Sequence, residues 1–161
     1  PRLGPIAKEK MRNFFKGVWA TIIWFVKLLT LQPHEVISRF GKPYLIRWHL
    51  LPPFTNRRAF IHKFVGDDED EALRDHPWPS WSLLLRGQYR EHTPQGSRVF
   101  RAGAWIPRSA EYQHRIALID GKPAWTLFIT GRKTRSWGFW CPQGFRPWID
   151  FKSQPDGKGC E

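Results

Sequence analysis

Cysteine is scarce in this chain of 161 residues, where Cys141 and Cys160 are the only two. A single pair excludes a disulfide-dense scaffold and a four-thiolate zinc fold, and so few thiols agree with a reducing, cytoplasmic setting. Acidic residues are also few, 14 against 26 Lys and Arg, which leaves a net charge of +12. That surplus permits a polyanionic or membrane-surface partner without demonstrating one. The sequence motifs of the common nucleic-acid modules are absent. Nucleic acid stays open as a partner only through the compact basic turn Arg132-Lys133-Thr134-Arg135 with aromatics nearby, a composition that suits single strands. There is no internal repeat of the solenoid kind, and no small-residue cleavage site follows the apolar N-terminal run. The only Met is Met11, so residues 1–10 read as a processing remnant. What the chain holds in quantity is aromatic, with ten Trp and twelve Phe. A hydrophobic fraction of 41% excludes wholesale disorder, and the length is that of one domain able to bury a core.

Three segments follow from composition: a tail and apolar helix over residues 1–35, a β-domain over 36–152, and a polar C-terminal tail over 153–161. Phe14 to Leu31 reads FFKGVWATIIWFVKLLTL, with two charges in 18 residues. Lys16 and Lys27 are eleven apart, about three helical turns, so they share a face. Three readings stand for residues 14–31: a helix packed on the domain or on a partner chain, a helix lying on a membrane surface, and a membrane span just short of the usual length of about 20 residues. Further on, Asp67-Asp68-Glu69-Asp70-Glu71 places five acids in a row, either a solvated loop or a cation-binding or docking loop.

Between residues 44 and 150, short apolar runs alternate with turn residues, the pattern of an all-β sandwich or barrel. Strands are expected over Tyr44–Leu51, Ala59–Val65, Trp81–His92 with a bend at Gly87, Arg98–Pro107, His114–Ile119, Ala124–Thr130 and Trp137–Trp140. Asp120-Gly121 reads as a hairpin signal. By period two, His62 shares a strand face with Phe60 and Phe64, and Glu91 faces away from His92. Trp78, Trp81, Trp105, Trp125, Trp137 and Trp140 are read as packing between sheets, with some of them available to line a ligand mouth. Cys141 beside Pro142 reads as a buried thiol.

Two stretches carry the chemistry. Arg101 onward reads RAGAWIPRSAEYQHRI, in which a Gly turn and Pro107 precede His114 at the start of a strand. Leu73 onward reads LRDHPWPSWSLLLRGQYREH, with His76-Pro77 followed by an apolar strand and Gly87. These resemble the second and first motifs of the cupin superfamily, G-x5-P-x-G-x2-H and H-x-H. Further strings, among them Trp125-Thr126-Leu127-Phe128 and Trp137-Gly138-Phe139-Trp140-Cys141-Pro142, resemble one uncharacterised bacterial and phage cupin-like family across roughly residues 44–160. The departures are specific. Arg74 stands where the first His belongs, and Ser80 or Trp81 where the Glu belongs.

The resemblance implies an all-β cupin double-stranded β-helix, or jelly-roll barrel, behind the N-terminal helix. It further implies a small-molecule site at the barrel mouth holding one divalent metal (Fe, Zn, Ni or Mn) on His76 and His114, with Glu91 or His62 completing the set. Arg74 or Arg101 would orient an anionic group of the ligand, and Trp125 and Trp137 would wall it. A dioxygenase or isomerase-type reaction is the implied activity. The alternative is a non-catalytic binding or assembly protein that docks a membrane, a partner chain or a larger particle through its apolar helix; a homo-oligomer is a further partner reading. Arg74 either points into the mouth as a fork for a carboxylate or phosphate, or points outward as surface charge.

Overall fold

The structure is a computed structural model describing residues 4–39, 41–67, 72–152 and 160. Most of the acidic run and residues 153–159 lie outside the described residues. The chain opens with α1 (Pro5–Leu29), whose Pro sits at the first helical position, where a missing N–H costs nothing. The helix therefore begins nine residues before the apolar run, taking in its charged approach. It ends at Thr30, followed by Leu31 at φ 55°. No residue of α1 is buried. It meets the barrel only near its C-terminus, where Trp24 Nε1 donates to His49 O at 2.9 Å, His34 Nε2 bonds Trp24 O at 3.1 Å, and Trp48 Nε1 donates to Leu31 O at 2.8 Å. Among the described residues, no helix is long and apolar enough to cross a membrane.

Twelve strands and a short helix follow among the described residues: β1 (Glu35–Arg39), β2 (Lys42–His49), β3 (Arg58–Phe64), β4 (Leu73–Arg74), β5 (Ser80–Arg86), β6 (Gln88–Thr93), β7 (Gly96–Arg101), β8 (Trp105–Arg108), β9 (Arg115–Leu118), β10 (Ala124–Thr130), β11 (Gly138–Cys141), β12 (Gly144–Pro147) and α2 (Trp148–Lys152). One antiparallel sheet has the order β1-β2-β3-β10-β5-β8. The facing layer is built from β12-β11-β4 and β7-β6-β9. A two-way backbone bridge joins those two ribbons, with Arg74 N donating to His114 O at 3.0 Å and His114 N to Arg74 O at 2.9 Å. Asp120-Gly121 is a turn with both residues at positive φ, but it is not a hairpin between paired strands. It carries the chain from β9 in one layer to β10 in the other, because β9 finds its partner in β6.

The inward faces follow period two. Phe60, His62 and Phe64 of β3 point between the layers with Ser80, Ser82 and Leu84 of β5 and Tyr89 and Glu91 of β6. Tyr44, Leu45, Phe64, Leu84, Tyr89, Ile106, Ile116 and Ala124 form the main apolar core. The tryptophans do not. Trp105 is 55% exposed, and Trp125 alternates with the inward Ala124 and Thr126, so it stacks on Trp48 outside the sheet. A second cluster gathers Ala72, Phe139 and Phe151 against Trp137. There Cys141 is no free thiol, since it is bonded to Cys160 with Cα atoms 5.4 Å apart. This corrects the thiol reading and removes the cysteine count as an argument for a reducing compartment.

Buried Asp75 fixes the loop leading into β11. It accepts from Gly138 N at 2.9 Å, from Trp140 Nε1 at 3.2 Å, and from Arg135. Arg135, one of the basic-turn residues, is thus spent on an internal ion pair.

Gly87 makes the corner between β5 and β6 at φ 83°, and a Cβ there would lie 2.6 Å from Pro123 O. Gly41 has a similar φ of 77° with open space around it. Gly41→Ala should therefore cost only the left-handed backbone penalty of about 1–2 kcal/mol. Gly87→Ala should cost clearly more in urea unfolding, about 3 kcal/mol or above, because the clash is with backbone. Equal losses at the two sites would contradict this account of the corner.

Candidate functional site

A cavity of about 590 Å³ opens between the layers. β2, β3 and β10 supply Tyr44, Arg47, Phe60, His62, Thr126 and Phe128, while the other layer and its loops supply Arg74, His76, Trp78, His114 and Trp137. β5 and β8 add Ser82 and Arg108, and β1 adds Glu35 at the rim. His76 and His114 are brought together by the Arg74–His114 bridge and by His76 N donating to Ala110 O at 3.0 Å. Their Nε2 atoms face each other at 3.4 Å. His62 stacks on Phe128 and, through the register of β2 with β3, lies opposite Arg47. Arg47 Nε donates to His62 Nε2 at 3.0 Å, which fixes the Nδ1–H tautomer of that ring.

Arg74 points into the cavity, donating to Tyr44 Oη and lying 5.5 Å over its ring. The other sequence candidates do not converge. Arg101 is exposed on β7, and Trp125 faces outward. Glu91 points inward, as its alternation with His92 implied, but it is fully engaged. Its Oε1 accepts from Arg108 Nε at 2.9 Å and from Nη2, and its Oε2 from Tyr112 Oη at 3.1 Å. Arg108 also donates to Ser82 Oγ at 2.9 Å and Tyr89 Oη at 3.2 Å. Arg47 and Arg108 were missed in the sequence, yet both were accessible to period two: Arg47 follows Leu45 on β2 and Arg108 follows Ile106 on β8, each on the inward face.

All three imidazoles are held neutral. Burial pushes His76 down to about 3, helped by Arg74, Arg108 and Arg47. Burial also holds His62 and His114 well below the usual histidine value, with Arg47 and Arg74 acting in the same direction on His62 and Arg108 and Arg74 on His114. Two of these guanidiniums are paired with carboxylates, Arg108 with Glu91 and Arg47 with Glu35 at 2.9 Å, and Arg74 lies beside the rings from the other layer.

Solved structures carry the same architecture. HppE in its iron(II) form matches with a TM-score of 0.51 at 13% identity, over 60% of this chain and 55% of that one. An RmlC-like cupin from Ralstonia eutropha JMP134 matches with a TM-score of 0.52 at 10% identity, over 74% and 76%. A candidate mannose-6-phosphate isomerase from the same organism matches with a TM-score of 0.50 at 23% identity, over 62% and 93%. The fold is a cupin double-stranded β-helix. The match spans little more than half the length of the iron(II) HppE chain. No family model matches the chain, and no curated protein is similar to it.

The cupin likeness raises the question of a divalent metal, and the donor set answers it. The 3.4 Å between the His76 and His114 nitrogens is a gap that one ion with bonds of about 2.0–2.1 Å could span. Among the described residues a third protein ligand is lacking: Glu91 is consumed by Arg108, His62 Nε2 is occupied by Arg47, and Arg74, which lines the cavity, is a cation. Among the described residues, no group of three or more His, Cys, Asp or Glu side chains is arranged to hold an ion. A dication would also meet the Arg74 guanidinium that lines the cavity, and even unit charges 4 Å apart repel by about 4 kcal/mol at an effective dielectric of 20. The residues present do not fit a resident divalent metal.

The Glu91–Arg108 pair, with both side chains 2% exposed or less, should dominate stability here. Glu91→Gln strands a buried guanidinium, and urea unfolding should register a loss of about 3–5 kcal/mol. The double change Glu91→Leu with Arg108→Met should recover much of it. A loss below about 1 kcal/mol for the single variant would mean that the pair is not structurally important.

Proposed function

We propose that the barrel binds a small anionic organic molecule, a carboxylate or phosphate ester, without a resident metal ion. The observation that carries this reading is the entry of the Arg74 guanidinium into a cavity lined by three neutral histidines, beside Arg47 and Arg108, which are paired with Glu35 and Glu91. Arg74 presents a planar guanidinium suited to an oxyanion. Phe60, Phe128, Trp78 and Trp137 give the cavity an aromatic wall for the apolar part of the ligand.

The same geometry favours an isomerase-type proton transfer over a dioxygenase reaction. At 3.4 Å the facing Nε2 atoms of His76 and His114 pair only with one ring as donor and the other as acceptor, the roles being set by the tautomers. A ring held near pKa 3 is a weak base. A bound anion offsets the guanidinium part of that lowering, while burial, the larger cause, remains, so the pair gains basicity when the ligand is in place. Dioxygenase chemistry would require the ion that the donor set does not fit.

The test is metal content by mass spectrometry on untagged protein, run beside thermal shift against inorganic phosphate, citrate and a panel of sugar phosphates. Metal should be well below one equivalent. At least one anion should raise Tm, by the mass-action stabilisation of about 2.7 kcal/mol at a hundredfold excess over Kd, and Arg74→Met should abolish that rise. Near-stoichiometric metal that is lost in His76→Ala and His114→Ala would overturn the proposal.

A further inference from the structure

α1 has three faces. Thr21, Trp24 and Leu28 are half-buried and form the stripe that meets β2, and half-buried Lys27, on the face of Lys16, borders it. Glu9, Arg12, Asn13 and Lys16 lie on a polar face, one helical turn apart. The remaining arc is apolar and open to solvent. Met11, Phe15, Val18, Ile22, Phe25 and Leu29 recur at alternating steps of four and three, and each is 41% exposed or more. Phe14, Trp19 and Val26 widen the arc, with Phe14 67% and Trp19 66% exposed. Large apolar side chains displayed this way along one helix are the mark of an interaction surface rather than of scattered surface residues.

Two occupants suit such a seam, a second copy of the helix or a lipid surface. A coiled-coil partner wants a narrow seam bordered by charges of both signs. Here the border positions are Phe14, Trp19 and Val26, so the arc is too broad and too apolar. Charge decides in the same direction. The helix carries Lys8, Lys10, Arg12, Lys16 and Lys27 against the single acid Glu9, so two copies side by side would repel while an anionic surface would attract. By helical spacing Lys8 falls in line with Val26 at one edge of the apolar arc and Lys10 in line with Leu28 beyond the other edge, and both are exposed. No helix of the described residues is long and apolar enough to cross a bilayer.

We propose that α1 is an interfacial anchor that lays its Met11–Leu29 apolar arc into an anionic phospholipid surface, with its basic residues at headgroup level and the barrel held beside it through Trp24 and Trp48. The anchor is independent of what the cavity binds.

The experiment is co-sedimentation of the full chain with vesicles of phosphatidylcholine alone or with about a third phosphatidylserine, with light scattering in solution alongside. The bound fraction should be roughly tenfold higher on the anionic vesicles at low salt and should fall at about 0.5 M salt. Phe15→Glu with Ile22→Glu should abolish binding to both vesicle types. Lys10→Glu with Lys16→Glu should remove the preference for anionic lipid. All four positions are exposed and outside the barrel, so an unchanged Tm shows that each variant is folded. Equal binding to neutral and anionic vesicles would overturn the proposal. So would a failure to bind lipid accompanied by a dimer in solution that Phe15→Glu with Ile22→Glu dissociates, which would assign the arc to a second copy.

Discussion

The buried ion pair of Arg108 with Glu91 is the constraint around which the interior is arranged. Arg108 comes from β8 at the edge of the six-stranded sheet, and Glu91 comes from β6 in the facing layer. The pair therefore fastens the layers through the cavity floor. Charges taken from water are tolerable only if their remaining lone pairs and protons are satisfied. Ser82, Tyr89 and Tyr112 do this, which explains polar side chains at inward positions where Leu or Val would otherwise pack. The functional consequence is larger than the structural one. Glu91, the inward carboxylate that the sequence offered as a ligand, is committed to Arg108 and Tyr112, and this commitment underlies the proposal that the site receives an anion.

Arg74 supports the same proposal from the opposite wall. Its backbone makes the bridge that sets His114 in place, and its side chain enters the cavity beside Tyr44. One residue thus joins the two ribbons of the second layer and supplies positive charge where the cupin pattern would have a ligand. The histidines are neutral hydrogen-bonding groups, held so first by burial and then by the neighbouring guanidiniums. Their partners are fixed for His62 and mutual for His76 and His114.

Much of the barrel was legible because turn chemistry punctuates it. Pro52-Pro53, Gly87 and Pro142-Gln143-Gly144 bound strands where expected, and period two placed His62, Phe60 and Phe64 on one inward face. β1 and β12 escaped because they are short edge strands, EVISR and GFRP, whose register comes from their neighbours rather than from their own alternation. The sidedness of Trp125 was readable from Ala124 and Thr126 once the strand was known, but aromatic bulk argued wrongly for burial. The fate of Glu91 was not legible. Whether an inward carboxylate meets a metal or a guanidinium depends on which strand lies across the cavity, a long-range fact that no local pattern holds. Asp120-Gly121 shows the same limit: its turn geometry was readable, but the layer reached by the strand after it was not.

The account rests on three neutral imidazoles in one cavity, and nitrogen NMR of the histidine side chains reads that state directly. Spectra would be taken from about pH 8 to pH 4, assigned with His62→Asn, His76→Asn and His114→Asn, with and without a saturating anion from the thermal-shift panel. The account predicts that all three rings remain neutral through about pH 5 without ligand, far below the ordinary histidine value of about 6.5. It also predicts that the bound anion raises the pKa of His76 or His114. A folded-state value below the unfolded one means that the unfolded chain binds more protons, so stability should fall as pH drops below about 6.5. Rings that titrate near 6.5 in the free protein, with no response to the anion, would contradict the account.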